Sequence, residues 1–282
     1  MDKSMPIQSA FFQTELIFHR FNGKVEPRDG FYKIHTPNLP SYYWGNLLYF
    51  LAPPKSGDGE RWVQLFKQEF AEHPGVQHMT LAWDGPCDGQ LNEEERTEFT
   101  KFIQQGFEAD ECLTLALDLE QAVAWGRPRN PRITTAEFRP LRSSEWDQAV
   151  KLALSIWPKR VGHPCSDKFV LGKMRNYQSM LEANLGWWMG AFIEGQLVGG
   201  LGLFFSSEVG RFQMVQMDEK FRNQGLTTAL LIETIERVQQ EKRTKKLVIV
   251  AEPDSIPAKI YQNVGFKFVE KNLGICRAPG AS

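Results

Sequence analysis

Apolar residues along the chain recur with two periods, and the alternation between them predicts the elements. From Glu60 to Phe70 the residues Trp62, Phe66 and Phe70 fall four apart, which predicts one buried helical face. Pro74-Gly75 stops that helix, and Val76 to Trp83 reads as a strand. Phe31 to His35, Asn46 to Leu51 and Cys112 to Leu117 are further short β-rich runs. Asn92 precedes Glu93-Glu94-Glu95, so a helix with a side-chain cap and acids in its first turn is expected there. The first half therefore reads β-β-α-β-α-β.

The second half carries the same rhythm more fully. A strand at Phe138 to Leu141 is followed by a helix capped at Ser144 and running to about Trp157. A second helix covers Asp167 to Leu185, with Phe169, Met174, Tyr177, Met180 and Leu181 on its buried side. Trp187 to Ile193 and Leu197 to Phe205 flank Glu194-Gly195-Gln196 and predict a hairpin. Trp187 and Trp188 then point to opposite faces of their strand. Val209 to Met217 is a third strand. After a polar loop come a helix from Gly225 to Gln240, a strand Leu247 to Ala251, a helix Ile256 to Asn263 and a strand Phe266 to Val269. The halves share a later β-α-β-α-β order without an exact repeat.

Between them, Ala124-Trp-Gly-Arg-Pro-Arg-Asn-Pro131 concentrates turn formers, and a boundary is expected within residues 122 to 135. The 282 residues are 42% hydrophobic, enough for two packed cores, and this excludes a largely disordered chain. Thirty-three basic against 34 acidic residues give a net charge of −1, which argues against a nucleic-acid partner. No window approaches the run of about 20 apolar residues needed to span a membrane, so no membrane partner is expected. Cys87, Cys112, Cys165 and Cys276 are scattered, and the five histidines lack ligand spacing. Reduced thiols, a cytoplasmic location and no metal site are the expectation.

The stretch Met217-Asp-Glu-Lys-Phe-Arg-Asn-Gln-Gly-Leu-Thr-Thr-Ala-Leu-Leu231 carries the clearest chemistry. A strand ends, a polar loop follows, and a helix opens beside Gly225, with Leu231, Ile235 and Val238 marking its buried stripe. Its first turn presents bare N–H groups and the positive dipole end, a physical site for a phosphate or pyrophosphate. Gly225 allows close approach, and Arg222 adds a fixed positive charge. The loop lacks the Gly-Lys-Ser/Thr of a nucleotide P-loop and the three glycines of a dinucleotide fingerprint.

Arg222-x-x-Gly225-x-Thr227, followed by Ala229-Leu230-Leu231, resembles the acyl-CoA pyrophosphate motif of the GNAT superfamily of N-acyltransferases. Asp254-x-x-Pro257-Ala258-x-Ile260-Tyr261-x-x-x-Gly265-Phe266 is similar to the same family's second motif. One helix and one strand separate the two, and the resemblance covers residues 135 to 272. It implies an α/β (α+β) fold of mixed, mostly antiparallel sheet flanked by helices, with acetyl-CoA as acyl donor and a primary amine of a small molecule or peptide as acceptor. By the same resemblance the donor is held by Gln216, Met217, Arg222, Asn223, Gln224, Gly225, Leu226, Thr227, Thr228 and Asp254. The Met217 N–H polarises the thioester carbonyl, and the amides of Asn223 through Thr228 take the phosphates. Two positions depart: Thr227 replaces a second small residue, and Asp254 replaces an asparagine.

Tyr261 falls on the family's general-acid position. Glu252 is the candidate base, with Asp218 and Glu219 as alternatives, and His163 lies in the loop matching the acceptor site. The alternative to an enzyme is a CoA-binding or interaction module whose chemistry has lapsed. Residues 1–125 resemble the amino-terminal half of tandem GNAT-like proteins, with 126–134 a linker and 135–282 the acetyltransferase domain. In that first half Pro53-Pro-Lys-Ser-Gly-Asp-Gly-Glu60 stands where the phosphate loop falls. Its prolines lack N–H groups, and Asp58 and Glu60 repel a pyrophosphate, so the half reads as a degenerate GNAT-like unit. Tyr42, Tyr43 and Trp44 are expected in an acceptor groove or in a buried cluster between domains. A homodimer is left open.

Overall fold

The computed structural model describes residues 7–86, 88–120, 131–159 and 165–280. Most of the connector, Cys87 and His163 lie outside those residues. Contacts divide the chain into two compact units, and the division is not a single cut in sequence. The first holds 1–114, 251–253 and 269–282; the second holds 115–250 and 254–268.

The first unit opens with α1 (Ala10–Asn22) and β1 (Lys24–Arg28), neither legible in the hydrophobic pattern. Then come β2 (Phe31–His35), β3 (Leu47–Phe50), α2 (Asp58–Glu69), β4 (Met79–Trp83), α3 (Glu93–Gln104) and β5 (Glu108–Asp118), whose last four residues belong to the second unit. The second unit runs through a short α4 (Pro131–Thr135), β6 (Glu137–Pro140), α5 (Trp146–Ile156), α6 (Asp167–Glu182), β7 (Gly186–Ile193), β8 (Gln196–Phe205), β9 (Val209–Met217), α7 (Leu226–Glu241), β10 (Lys246–Ala251) and α8 (Ile256–Asn263). The last strand, β11 (Lys267–Arg277), leaves it after Phe268 and pairs antiparallel with β4 in the first unit, Gly274 opposite Ala82.

In the first unit β1, β2 and β3 pair antiparallel, and β3 and β4 pair parallel. Trp62 of α2, 1% exposed, stacks on Phe50 with centroids 3.6 Å apart and anchors a core shared with Phe66, Leu81 and Phe102. The predicted Trp62–Phe66–Phe70 stripe is buried throughout. Asn92 caps α3 in a reciprocal box with Glu95. Trp44 donates to Asp110 Oδ2 at 2.7 Å, and Tyr43 stacks on His78, so these aromatics pack inside the first unit. β11 runs on to Arg277, past the Phe266 to Val269 expected, and carries Gly274 within it. A Cβ on it would stand 2.9 Å from the Trp44 ring.

The second unit pairs β6-β7-β8-β9 antiparallel, then β9 with β10 parallel. The hairpin turn places Glu194 and Gly195 both at positive φ, which matches the right-handed twist of its strands. Trp188, 2% exposed, meets Trp146 of α5 edge-on at 5.2 Å and Tyr177 of α6 at 5.7 Å. Trp187 faces the other way, beneath Arg237 of α7. The sheet is thus covered by α5 and α6 on one face and α7 on the other. Ser144 does not cap α5; it lies inside a 3-10 turn, Ser143–Glu145, where Glu145 accepts from the Arg142 N–H at 2.8 Å. On α6 the buried residues are Val170, Met174, Tyr177 and Met180, while Phe169 and Leu181 are half-buried.

Candidate active site

The site begins where β9 and β10 stop pairing. Their register holds for Val209, Gly210 and Arg211 opposite Lys246, Leu247 and Val248, and among the described residues the pairing ends at Arg211. A bulge in β9 bends the strand there: Gly202 opposes Gln213 but Gly200 opposes Gln216, and Met214 takes φ +47. The glycines of β8 make room on this stretch, since a Cβ on Gly199 would collide with the Met217 side chain.

Backbone direction then decides what the fork presents. The Asp218 N–H donates to Val198 O at 2.9 Å, toward β8. Successive amides of an extended strand point to opposite edges, so the Met217 N–H faces the β10 side, into the fork. Arg222 Nε donates to Met217 O at 3.3 Å, tying the loop to the strand end.

Asp218, Glu219 and Arg222 organise the loop itself. Asp218 accepts from the Lys220 N–H at 2.9 Å and caps the Glu219–Phe221 turn, and Glu219 lies 3.6 Å from Arg222 Nη1. Asn223 and Gly225 both adopt left-handed backbone, φ +60 and +78, at the foot of α7. Asparagine and glycine are the residues that enter this region at least cost. Gly225 is the N-cap, no side chain among the described residues caps the helix, and its opening backbone bond runs from Ala229 N–H to Gly225 O. The amides of Leu226, Thr227 and Thr228 precede it in the first turn, where no intrahelical acceptor exists. Leu226, 1% exposed, and the buried Leu231, Ile235 and Val238 fix the helix against the sheet.

Downstream, Asp254 precedes the Ser255 cap of α8 and is itself left-handed, φ +55. The position therefore selects Asn or Asp for its backbone, a reason for that residue type invisible in the motif alone. Tyr261 is buried at 5% exposure on α8. Its ring lies 6.5 Å from Phe266, which meets Phe212 edge-on at 5.8 Å, and Phe212 is the first β9 residue past the fork. Glu252 follows β10 directly, is exposed, and clusters with the first unit.

The sequence reading placed Gln216 with the donor site, but its side chain lies on the other face, toward α5 and α6. It accepts from Trp157 Nε1 at 3.1 Å and is 5% exposed. Gly199 and Gly200, which line this stretch, carry no motif and were not singled out; the run Gly199-Gly200-x-Gly202 inside a strand was the available signal. Among the described residues, no group of three or more His, Cys, Asp or Glu is placed to hold a metal ion, and no helix is long and apolar enough to cross a membrane.

Residues 146–266 match the family described as acetyltransferase (GNAT) family. Among solved structures, a functionally unknown conserved protein from Staphylococcus epidermidis superposes with a TM-score of 0.73 at 14% identity, covering 91% of this chain and 94% of that one. A GCN5-related N-acetyltransferase from Kribbella flavida gives 0.64 at 11% identity, with 98% of each chain covered. A tandem GNAT protein from the clavulanic acid biosynthesis pathway gives 0.55 at 14% identity, covering 80% and 71%. No curated protein sequence matches the chain. The forked strands, the glycine-started helix and the family match coincide on one segment, residues 146–266, which carry the match to the acetyltransferase (GNAT) family.

Proposed function

We propose that this chain transfers the acetyl group of acetyl-CoA to a primary amine of a small molecule or peptide. The observation that carries the reading is the fork, with the Met217 N–H directed into it and the uncapped first turn of α7 beside it. The chain's groups fit a diphosphate-bearing thioester. The amides from Asn223 to Thr228 would hold the diphosphate, with Arg222 as a neighbouring cation. The parted strands would leave backbone groups for the amides of the pantetheine arm.

Acetyl-CoA supplies an activated carbonyl whose thiol, with a pKa of about 8.5, departs without a covalent enzyme intermediate. The Met217 N–H donates to the carbonyl oxygen, where negative charge grows as the amine attacks. The Tyr261 hydroxyl holds the proton for the departing sulfur, and Glu252 takes the proton of the amine, directly or through water. A cytoplasmic setting belongs to the same reading, supported by the free thiols Cys112, Cys165 and Cys276.

Titration calorimetry with acetyl-CoA on the full chain is expected to give one site per chain. Thiol release in the presence of an amine panel then reads turnover. Absence of binding overturns the reading, and binding without thiol release for any amine would assign the chain to a non-catalytic CoA binder.

A further inference from the structure

On the α5/α6 face of the second unit, two buried donors belong to the residues that flank one glycine. Gln216 in β9 is 5% exposed, and its Nε2 has no hydrogen-bond partner among the described residues. The orientation of that amide is fixed. Trp157 Nε1 can only donate, and it donates to the other end, Oε1, at 3.1 Å, so the NH2 is turned away from it. Trp188 in β7 is 2% exposed, and its Nε1 likewise has no partner among the described residues.

The strand between them contributes no side chain at this level. Gly200 in β8 pairs with Gln216 on one side and with Gly190 on the other. Directly opposed residues share a face, so Gly190, Gly200 and Gln216 form one row, and Trp188, two residues from Gly190, lies on the same face. A Cβ built on Gly200 would stand 3.1 Å from Trp188 Nε1 and 3.8 Å from its Cδ1. The indole N–H thus stands over Gly200, the residue that pairs with Gln216. Gln216 is also the residue before Met217, whose N–H faces the fork.

Burying an N–H without an acceptor is costly, and two such groups on either side of one glycine are answered together by an atom that accepts from both. A carbonyl or carboxylate oxygen has two lone pairs and no hydrogen to place. A water accepting two bonds would keep two hydrogens unplaced against the aromatic wall. We infer that the amine acceptor of this enzyme carries a carbonyl or carboxyl oxygen close to its amino group, and that Gln216 Nε2 and Trp188 Nε1 select for it. The inference rests on the acetyltransferase reading above and names the substrate class that reading leaves open. A site built to bond an oxygen rejects the analogue lacking it far more strongly than an apolar pocket distinguishes shapes.

The test uses the full chain, saturating acetyl-CoA, and matched primary amines: phenylalanine, phenylalaninamide and phenethylamine, with aliphatic triplets of the same design. The expected result is a kcat/KM for the oxygen-bearing member on the order of 100-fold above its partner lacking oxygen. The amino acid and the amide arms separate a carboxylate from a neutral carbonyl. Gln216→Leu is expected to lower that preference about tenfold, and Trp188→Phe, which keeps a ring but loses the N–H, to lower it severalfold. In the 15N-labelled wild type, the indole resonance absent from Trp188→Phe should shift with the oxygen-bearing amine and stay in place with phenethylamine. Equal kcat/KM across each triplet, or an indole signal indifferent to the oxygen, overturns the inference. So does acetyl-CoA binding by thermal shift with no member of any triplet acetylated. A thermal shift that acetyl-CoA fails to move overturns instead the donor reading beneath it, and the two failures are told apart in one set of measurements.

Discussion

Two long helices in this chain begin at a glycine in the left-handed region, and they treat their bare amides in opposite ways. Gly57, at φ +86, precedes α2 in the first unit, and Gly225, at φ +78, precedes α7 in the second. At α2, carboxylates of the protein itself occupy the amides. Gly59 N–H donates to Glu98 Oε2 at 3.0 Å, Ser56 N–H to Glu94 Oε1 at 3.0 Å, and Lys55 N–H to Asp58 Oδ2 at 2.8 Å. Glu98 is 1% exposed, and Lys101 Nζ lies 2.5 Å from its other oxygen. Burial alone would raise the Glu98 carboxyl, but the Lys101 bond and the Gly59 and Gly57 amides outweigh it and hold the group below its ordinary value of 4.5. At α7, among the described residues, no carboxylate takes the amides of Leu226, Thr227 or Thr228. The same local device, a helix opening on a glycine, is closed by internal carboxylates in one unit, and in the other it is the place where the proposed function puts the diphosphate of acetyl-CoA.

The largest effect should come from the pair of glycines. Gly225→Ala is expected to weaken acetyl-CoA affinity on the order of 100-fold, while Gly57→Ala leaves it within about twofold. Each variant should lose about 1–2 kcal/mol of stability, the cost of a Cβ in left-handed backbone. Calorimetry beside urea unfolding reads both, and equal loss of affinity in the two variants would break the contrast.

Glu98→Gln sharpens the first-unit side. It should cost about 2 kcal/mol, because a neutral amide is a poorer partner for two backbone N–H groups and Lys101. Since the folded carboxyl titrates below 4.5, the unfolded chain binds more protons just under that pH. The Glu98 contribution is therefore complete above the unfolded value and is lost as pH falls through the folded one. The variant should unfold with a shallower pH slope in that acidic window and bind acetyl-CoA as the wild type does.

A tenfold fall in kcat is expected for Tyr261→Phe, with the KM for acetyl-CoA within about twofold, because a thiolate leaves tolerably without its acid. Steady-state kinetics with a fixed amine decides it; an unchanged kcat across pH removes the hydroxyl from the reaction. Arg222, whose side chain is 48% exposed and near Glu219, should matter least. Arg222→Ala should weaken acetyl-CoA binding about threefold at low salt, with the difference shrinking as ionic strength rises.

Much of this was readable because its physics is local. Asp, Asn, Gly and Pro set caps and turns over a few residues, so the hairpin at Glu194-Gly195, the capping box at Asn92 and the opening of α7 at Gly225 follow from short spacings. The four-residue periods placed Trp62, Phe66 and Phe70, and likewise Leu231, Ile235 and Val238, on buried faces. Motif spacing likewise put Tyr261 and Gly225 on the helices that flank one strand.

What sequence could not decide came from residues far apart in the chain. Asp58 and Glu60 looked like the acids that spoil the first phosphate loop; Asp58 does take the Lys55 amide, but Glu60 is exposed, and the Gly59 amide is filled by Glu98, 39 residues away. The bulge at Met214 has no composition of its own, because a bulge is set by the register of two strands rather than by the residue that bends. β11 runs on past Gly274 because Trp44, 230 positions earlier, needs the space that a side chain would take. The placement of Gln216 beside Trp188 across a bare Gly200 likewise requires three strands in register. Short-range propensity sets where helices and strands start and stop; pairing register and packing decide which amides, donors and carboxylates end up facing one another.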